Sequence, residues 1–436
     1  MPNRIGIRRE NKNKWERRVP LTPNQLQKLA LQSNTQFVVQ PSENRIFDSS
    51  HYMDAGAHVS EDLSSCDIIM GVKEVPADLV QKNKVYLIFS HTIKGQSYNM
   101  AKLQRLIDLE CTLIDYECIV DASARRLVFF GQFAGLAGMI ESLHAMGKRM
   151  RALSIESPLN KMRQAFAYKG LEEAKAHVKA IGEEIKKHGL PESMRPFVVG
   201  FAGYGNVSKG AQEIYDLLPV KVIESKDLAT LPMGDGKVVY KVVFYEKDIV
   251  EPAAGPGEFT PEEYFENPDQ FRPIFEKFLP HLNILLNGVY WDDRYPRLVT
   301  KKFVQEIASE FRILVIGDVS CDINGSVELT GKITEPDASF YVYEPDTGAI
   351  SDNPATPGIG IMAIDNLPAE FAAEASSAFG DALLPFMPPL IEADFSRPFI
   401  CCDLPMEIKE ATIVYKGQLT PKYSYLQEAL DQASEV

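Results

Sequence analysis

Phe197-Val-Val-Gly-Phe-Ala-Gly-Tyr-Gly-Asn-Val-Ser-Lys-Gly210 is the stretch that decides the fold. A β-type run reaches a turn carrying Gly203 and Gly205. A helical pattern follows, with Ala211, Ile214, Tyr215 and Leu218 at i, i+3, i+4 and i+7. Strand, glycine turn and helix in that order form a nucleotide-binding βα unit. Gly203 allows the tight turn, and Gly205 lets a pyrophosphate approach the backbone. The positive helix N-terminus at Asn206, Val207 and Ser208 faces that anion. Ser208 stands where a third glycine is usual and is small enough for close helix–strand packing. A βα turn with no ligand remains the alternative. Glu224 ends the run Val220–Glu224, about 20 residues after Gly203, where an acid for the ribose hydroxyls is expected. A carboxylate there repels a 2′-phosphate and favours NAD(H). Nearby Lys226 pulls the other way, so NADP(H) stays open.

Outward from this turn, strand-like runs alternate with helical patterns. Strands are expected at Ile5–Arg8, Gln36–Val39, Asp67–Lys73, Val85–Phe89, Leu113–Tyr116 and Leu127–Phe130. Helices are expected at Pro23–Leu31 and Met100–Ile107, then as long runs at Gly135–Met150 and Leu171–Lys187. After Phe197 the alternation resumes with Val220–Glu224, Ile284–Leu286 and Ile313–Ile316. Ser225–Leu279 reads as a long insertion, with a capped helix at Thr260-Pro261-Glu262-Glu263. The pattern is an α/β fold with mainly parallel sheets. A length of 436 residues suggests two or three domains.

Lys and Arg total 46 against 60 Asp and Glu, a net charge of −14. That balance argues against nucleic acid as a partner, since phosphate binding needs a basic face. No apolar run approaches the roughly 18 residues that span a bilayer. Phe379–Ile391 comes nearest, but holds Gly380, Asp381 and three prolines. The first ten residues lack the apolar core of a secretory signal. Six scattered cysteines form no CxxC pair and the histidines no HExxH, so a metal site is not indicated. A cytoplasmic location is the expectation.

Within this acidic chain the first twenty residues are basic. Arg4, Arg8, Arg9, Lys12, Lys14, Arg17 and Arg18 stand against Glu10 and Glu16. The cluster is either a solvated surface or a site for an anionic substrate, because arginine forks suit carboxylates. Lys73, His91 and Glu117 each follow an apolar run, with Lys94 and Arg126 close by in sequence. In open α/β sheets, ligands bind outside the carboxyl ends of strands.

The segments IGIRRENKNKWERRVPLTP, IMGVKEVP, FSHTIKGQ, LIDYE, FGQFAGLAGMI, GYGNVSKGAQ, LLNGVYW, DVSCDINGSVE and AIDNLPAE run from near residue 4 to about residue 370. In sequence and order they resemble the lysine–ketoglutarate reductase half of α-aminoadipic semialdehyde synthase. A more distant likeness is to fungal saccharopine dehydrogenase, alanine dehydrogenase and the transhydrogenase α-subunit. The resemblance implies two Rossmann-like domains with a cleft between them, the first discontinuous in sequence. Residues 1–139 plus 365–436 would form the substrate domain and 140–364 the dinucleotide-binding domain. The chain would be one reductase unit without the saccharopine-cleaving half.

The implied reaction joins L-lysine and 2-oxoglutarate into saccharopine with hydride from a nicotinamide, NADP(H) being favoured by the resemblance and NAD(H) possible. Lys73 and His91 match catalytic positions. Arg18, Lys94, Glu117 and Arg126 match charged substrate-binding positions. Asp318 and Asp365 fall on the nicotinamide side of the cofactor site. Lys73 would take a proton from the substrate amine, and His91 would protonate the departing hydroxyl. Alternatives are an alanine-dehydrogenase-like enzyme, or a non-catalytic nucleotide-binding protein that senses redox state. Oligomeric state is not legible.

Overall fold

The computed structural model describes residues 3–255, 259–307 and 312–434. The chain divides into two compact units, Met1–Phe130 with Ala372–Val436, and Gly131–Phe371. These limits differ from the expected 139/140 and 364/365. Gly131–Ala152 is one unbroken helix, so the first division falls before it. The turn Leu367–Phe371 packs under that same helix and stays with it.

The first unit is built on an eight-stranded sheet. From one edge its strands are Gln418–Leu419, Thr412–Tyr415, Thr112–Asp115, Val85–Ile88, Ile68–Met70, Ile5–Ile7, Phe37–Val39 and His58–Val59. The six N-terminal strands are parallel, and Thr412–Tyr415 closes their edge antiparallel. Ile5–Ile7, Ile68–Met70 and Val85–Ile88 are buried at every residue, so they read as continuous apolar runs instead of alternating ones. Helix Pro23–Ser33 starts where it should. The Thr22 hydroxyl accepts from the Gln25 amide, the Gln25 side chain answers the Thr22 amide, and proline fills the first position. Asn34, in the left-handed region, ends it. Gln25 also donates to Ser377 and Asp381 of helix Ala372–Leu383, which ties the two chain segments of this unit together.

The expected strand Leu127–Phe130 is absent. Only Arg126 makes an isolated bridge, to Val120. The apolar character serves packing instead: Phe130 stacks on Phe379 at 4.4 Å, and Phe89 packs against both rings.

The second unit has another eight-stranded sheet. Its order is Ile350–Ser351, Phe340–Tyr343, Ile359–Met362, Val315–Asp318, Ile284–Asn287, Val198–Ala202, Val239–Phe244 and Val220–Val222. Only Phe340–Tyr343 and Ile350–Ser351 run antiparallel to their neighbours. Alternate residues of the glycine-turn strand feed two cores. Val199 and Phe201 pack with helices Gly131–Ala152, Leu171–His188 and Asn206–Tyr215. Val198 and Ala202 face Phe244, Phe275 and Leu285 on the other side.

Val239–Phe244 corrects the reading of Ser225–Leu279 as an insertion. That segment contributes an inner strand, hydrogen-bonded directly to Val198–Ala202. Val220–Val222 is pushed to the edge. Among the described residues no helix is long and apolar enough to cross a membrane.

Candidate functional site

In the first unit, Lys73, His91 and Glu117 lie just beyond the carboxyl ends of three adjacent parallel strands, Ile68–Met70, Val85–Ile88 and Thr112–Asp115. All three side chains are half-buried. Glu10 holds the loop of Lys73: its carboxylate accepts from the amides of Val72 (2.7 Å) and Lys73 (3.1 Å) and pairs with Arg8. His91 sits in the left-handed region at φ 56°, a strained setting for a side chain with a Cβ. The amide of Asn99 holds its carbonyl at 2.8 Å, and its ring stacks on Phe89. Burial lowers the His91 pKa from its ordinary 6.5, and the Lys73 charge lowers it further. Glu74 and Glu117 pull it back up without reversing the direction. The imidazole is therefore neutral at rest near pH 7. These electrostatic links bring Lys73, Glu74, His91 and Glu117 into one cluster with Lys12.

The other charged candidates are distributed around this cluster. Arg126, exposed, pairs with Glu117. Lys94 is exposed in the loop after His91. Arg18 is buried, stacked over Phe130 at 4.2 Å, and donates through Nε (2.8 Å) and Nη2 (2.6 Å) to buried Glu16. Three arginines of the basic start are in ion pairs: Arg8 with Glu10, Arg9 with Glu61, Arg18 with Glu16. Glu10, Glu16 and Glu74 escaped the sequence reading as site residues. The i, i+2 spacing of Glu16 and Arg18 was the available signal for that pair, since extended backbone puts both on one side.

In the second unit, Gly203 follows the central strand at φ +91°, which favours glycine. Gly205 has open space where a Cβ would stand. Helix Asn206–Tyr215 starts there without a side-chain cap. The amides of Asn206, Val207 and Ser208 have no partner within the helix and present its positive end. Ser208 is fully buried, and its neighbour Val207 packs over Gly288. A cavity of about 480 Å³ opens beside the turn, lined by Gly203, Gly205, Glu246, Tyr264, Tyr290 and Trp291 among others. Glycine turn, uncapped helix end and adjoining apolar cavity fit a dinucleotide.

Asp318 ends the strand Val315–Asp318, and Asp365 follows the parallel neighbour Ile359–Met362 on the same carboxyl edge. Asp318 is wholly buried, its carboxylate accepting from Asn287, Ser320 and Thr330 at 2.6–2.8 Å. It therefore shapes the loop that follows the strand. Asp365 is exposed, near Cys321. Glu224 stands two residues past strand Val220–Val222, which is at the sheet's edge. It lies beyond the edge strand, 72% exposed and bound to Lys226 at 2.6 Å. The described residues contain no group of side chains suited to hold a metal ion.

Two mainly parallel sheets, each with candidate residues at the carboxyl ends of its parallel strands, define a two-domain Rossmann-type α/β protein. The solved structure of an L-alanine dehydrogenase shares this fold, with a TM-score of 0.63 over 99% of both chains at 18% identity. Residues 6–137 match the family described as alanine dehydrogenase/PNT, N-terminal domain. Over 97% of its length the chain is 37% identical to the α-aminoadipic semialdehyde synthase of Arabidopsis thaliana, and spans 41% of that protein. It is also 25% identical to the saccharopine dehydrogenase [NAD(+), L-lysine-forming] of Emericella nidulans, over 91% of this chain and 94% of that one. The chain is thus similar over nearly all of its own length to α-aminoadipic semialdehyde synthases, and spans less than half the length of the plant protein.

Proposed function

We propose that this chain is an oxidoreductase of lysine metabolism that joins L-lysine and 2-oxoglutarate into saccharopine, and runs the reverse. One observation carries the reading. Lys73, His91 and Glu117 end three neighbouring strands as one electrostatic cluster, in a relative of α-aminoadipic semialdehyde synthase.

The first unit binds substrate. The lysine ε-amine is protonated at neutral pH, with an ordinary pKa near 10.4, and must lose that proton to attack a keto carbon. Lys73 accepts it. His91 is neutral at rest because burial lowers its pKa. It can take up the proton released from the attacking nitrogen and return it to the departing hydroxyl, which leaves as water. Arg18, Lys94 and Arg126 bind the carboxylates of 2-oxoglutarate, with Glu16 and Glu117 orienting the two arginines.

The second unit holds a nicotinamide dinucleotide at Gly203, Gly205, Asn206, Val207 and Ser208. When bound, that cofactor supplies the hydride. The resemblance favours NADP(H). Asp318 keeps the loop after its strand in shape, and Asp365 reaches the nicotinamide side as the resemblance implies. A reducing, cytoplasmic setting accords with six unpaired cysteines.

The test is direct. Purified protein with lysine, 2-oxoglutarate and NADPH or NADH should lose nicotinamide absorbance, and mass spectrometry should find saccharopine. Turnover of pyruvate and ammonia in their place would identify an alanine-dehydrogenase type of activity and overturn the proposal.

A further inference from the structure

Asp115 is the last residue of strand Thr112–Asp115, in a register that sets it beside Ile88 of the neighbouring strand. It is wholly buried, and Ser90 and Thr92 are buried with it. Its carboxylate is divided between the loops that leave these two strands. Oδ1 accepts from the Glu117 amide at 2.8 Å. Oδ2 accepts from the Ser90 amide at 2.9 Å and from the Ser90 hydroxyl. A cap for its own turn needs only the first of these contacts; the other two reach across to the next loop. Ser90 Oγ also meets Thr92 Oγ1 at 2.8 Å and accepts from the Thr92 amide at 3.3 Å. His91 stands between Ser90 and Thr92, so both of its chain neighbours are tied to one carboxylate oxygen. Its φ of 56° persists only where the surroundings over-determine it. Asn99, which holds the His91 carbonyl, completes that restraint.

We propose that Asp115 is a positioning residue that sets the spacing of His91 and Glu117, one oxygen holding the loop of each. The inference rests on the reading that His91 and Glu117 belong to the substrate site. Asp115 is shut off from solvent and acts only through the two loops. The arrangement needs a carboxylate, because both oxygens must accept. Asparagine has the same shape but a single acceptor. Turned toward Ser90, its oxygen keeps two donors, and its N–H groups then oppose the Glu117 amide. Asp115→Asn therefore releases the Glu117 loop, whereas Ser90→Ala loosens the His91 loop without changing any charge.

Two measurements on the purified protein test this. The first follows the His91 imidazole by NMR as pH is varied, without substrates, its signal assigned by loss in His91→Gln. Burial is the main cause of the lowered His91 pKa, and the charges of Lys73, Glu74, Glu117 and Lys12 are the same in Ser90→Ala. A loosened loop should therefore let the pKa rise toward 6.5. The second is a pair of double-mutant cycles on kcat with lysine and 2-oxoglutarate. Asp115→Asn should cost about tenfold to a hundredfold, the scale of a misplaced group, and should cost almost nothing once Glu117→Gln is present. Ser90→Ala should likewise lose its effect in a His91→Gln background. A His91 titration unmoved by Ser90→Ala overturns the inference. So does an unchanged kcat in Asp115→Asn, or losses that simply add in both cycles, as a general structural defect would give. Should Asp115→Asn not be recovered folded, Ser90→Ala carries both measurements alone. A raised His91 pKa in a protein that turns over neither substrate supports the positioning and overturns the proposed reaction alone.

Discussion

Gly135 lies against Val207 so closely that a Cβ on Gly135 would overlap the Val207 carbonyl oxygen. Gly210 meets the Gln132 carbonyl in the same way. Backbone contact between the two helices therefore fixes the first turn of the helix that follows the glycine loop. Gly135→Ala must part them, with a loss of about 2–3 kcal/mol, the scale of an overpacked core. Urea denaturation should show that loss, and NADH titration should show weaker binding. Gly138→Ala should cost less, because its Cβ would meet only side chains, chiefly Val319.

Lys73→Met should lower kcat with lysine and 2-oxoglutarate by about a hundredfold or more, the usual worth of a positioned base. The pH–rate profile should lose the limb that reports that base. An unchanged rate and profile would remove Lys73 from the role. His91→Gln should leave dinucleotide binding intact and slow turnover, a split that titration and steady-state kinetics separate.

Protons buried on folding predict a pH slope in stability. Burial pushes Glu141 from its ordinary 4.5 to about 7. Its neighbour Glu370 is raised further by burial and by the Glu141 charge. Burial also raises Asp115 from 3.8 to about 6. These groups keep protons in the folded state that the unfolded chain releases above about pH 4. Their contribution is full at low pH and is lost as pH rises to about 7. His91 and His144, lowered by burial, act with the opposite sign near pH 6.5. The decisive measurement is thus the difference in Tm between the unaltered protein and Glu141→Gln. The variant should gain relative stability as pH rises from 5 to 8, a range set by the Glu141 shift. A constant difference would show that Glu141 holds no proton.

Arg149 is buried and donates to three backbone carbonyls, those of Pro354, Thr356 and Gly358, at 2.6–2.7 Å. Arg149→Met leaves all three without that donor and should cost about 3 kcal/mol or more. Arg149→Lys should recover only part, since a compact ammonium cannot span the same fork. Chemical denaturation of the three proteins orders them.

Local patterns carried much of the reading. The glycine turn, and the placing of Lys73, His91 and Glu117 beyond apolar runs, are legible because each depends on a few neighbouring residues. Strand order is not local. Val238–Tyr245 is a β-rich run closed by Glu246, so the strand was visible in the residues. Nothing in the chain says that it lies inside Val220–Val222 rather than outside it. Counting residues from Gly203 leads to the edge strand Val220–Val222, while hydrogen bonding leads to Val239–Phe244. The same limit explains Leu127–Phe130. Its apolar residues are a strand pattern by composition, but Phe130 is claimed by Phe379, some 250 residues later.

The strand Thr412–Tyr415 has a consequence in time. It closes the first sheet against Thr112–Asp115, and the hydrogen bond from Lys416 to Thr112 spans 304 residues. The second unit is contiguous and can finish folding as soon as it leaves the ribosome. The first unit, begun earlier, must wait with the edge of Thr112–Asp115 bare until Thr412–Tyr415 has been made as well. For that interval the nascent protein carries an open β-edge, the kind of surface on which chaperones and aggregation compete.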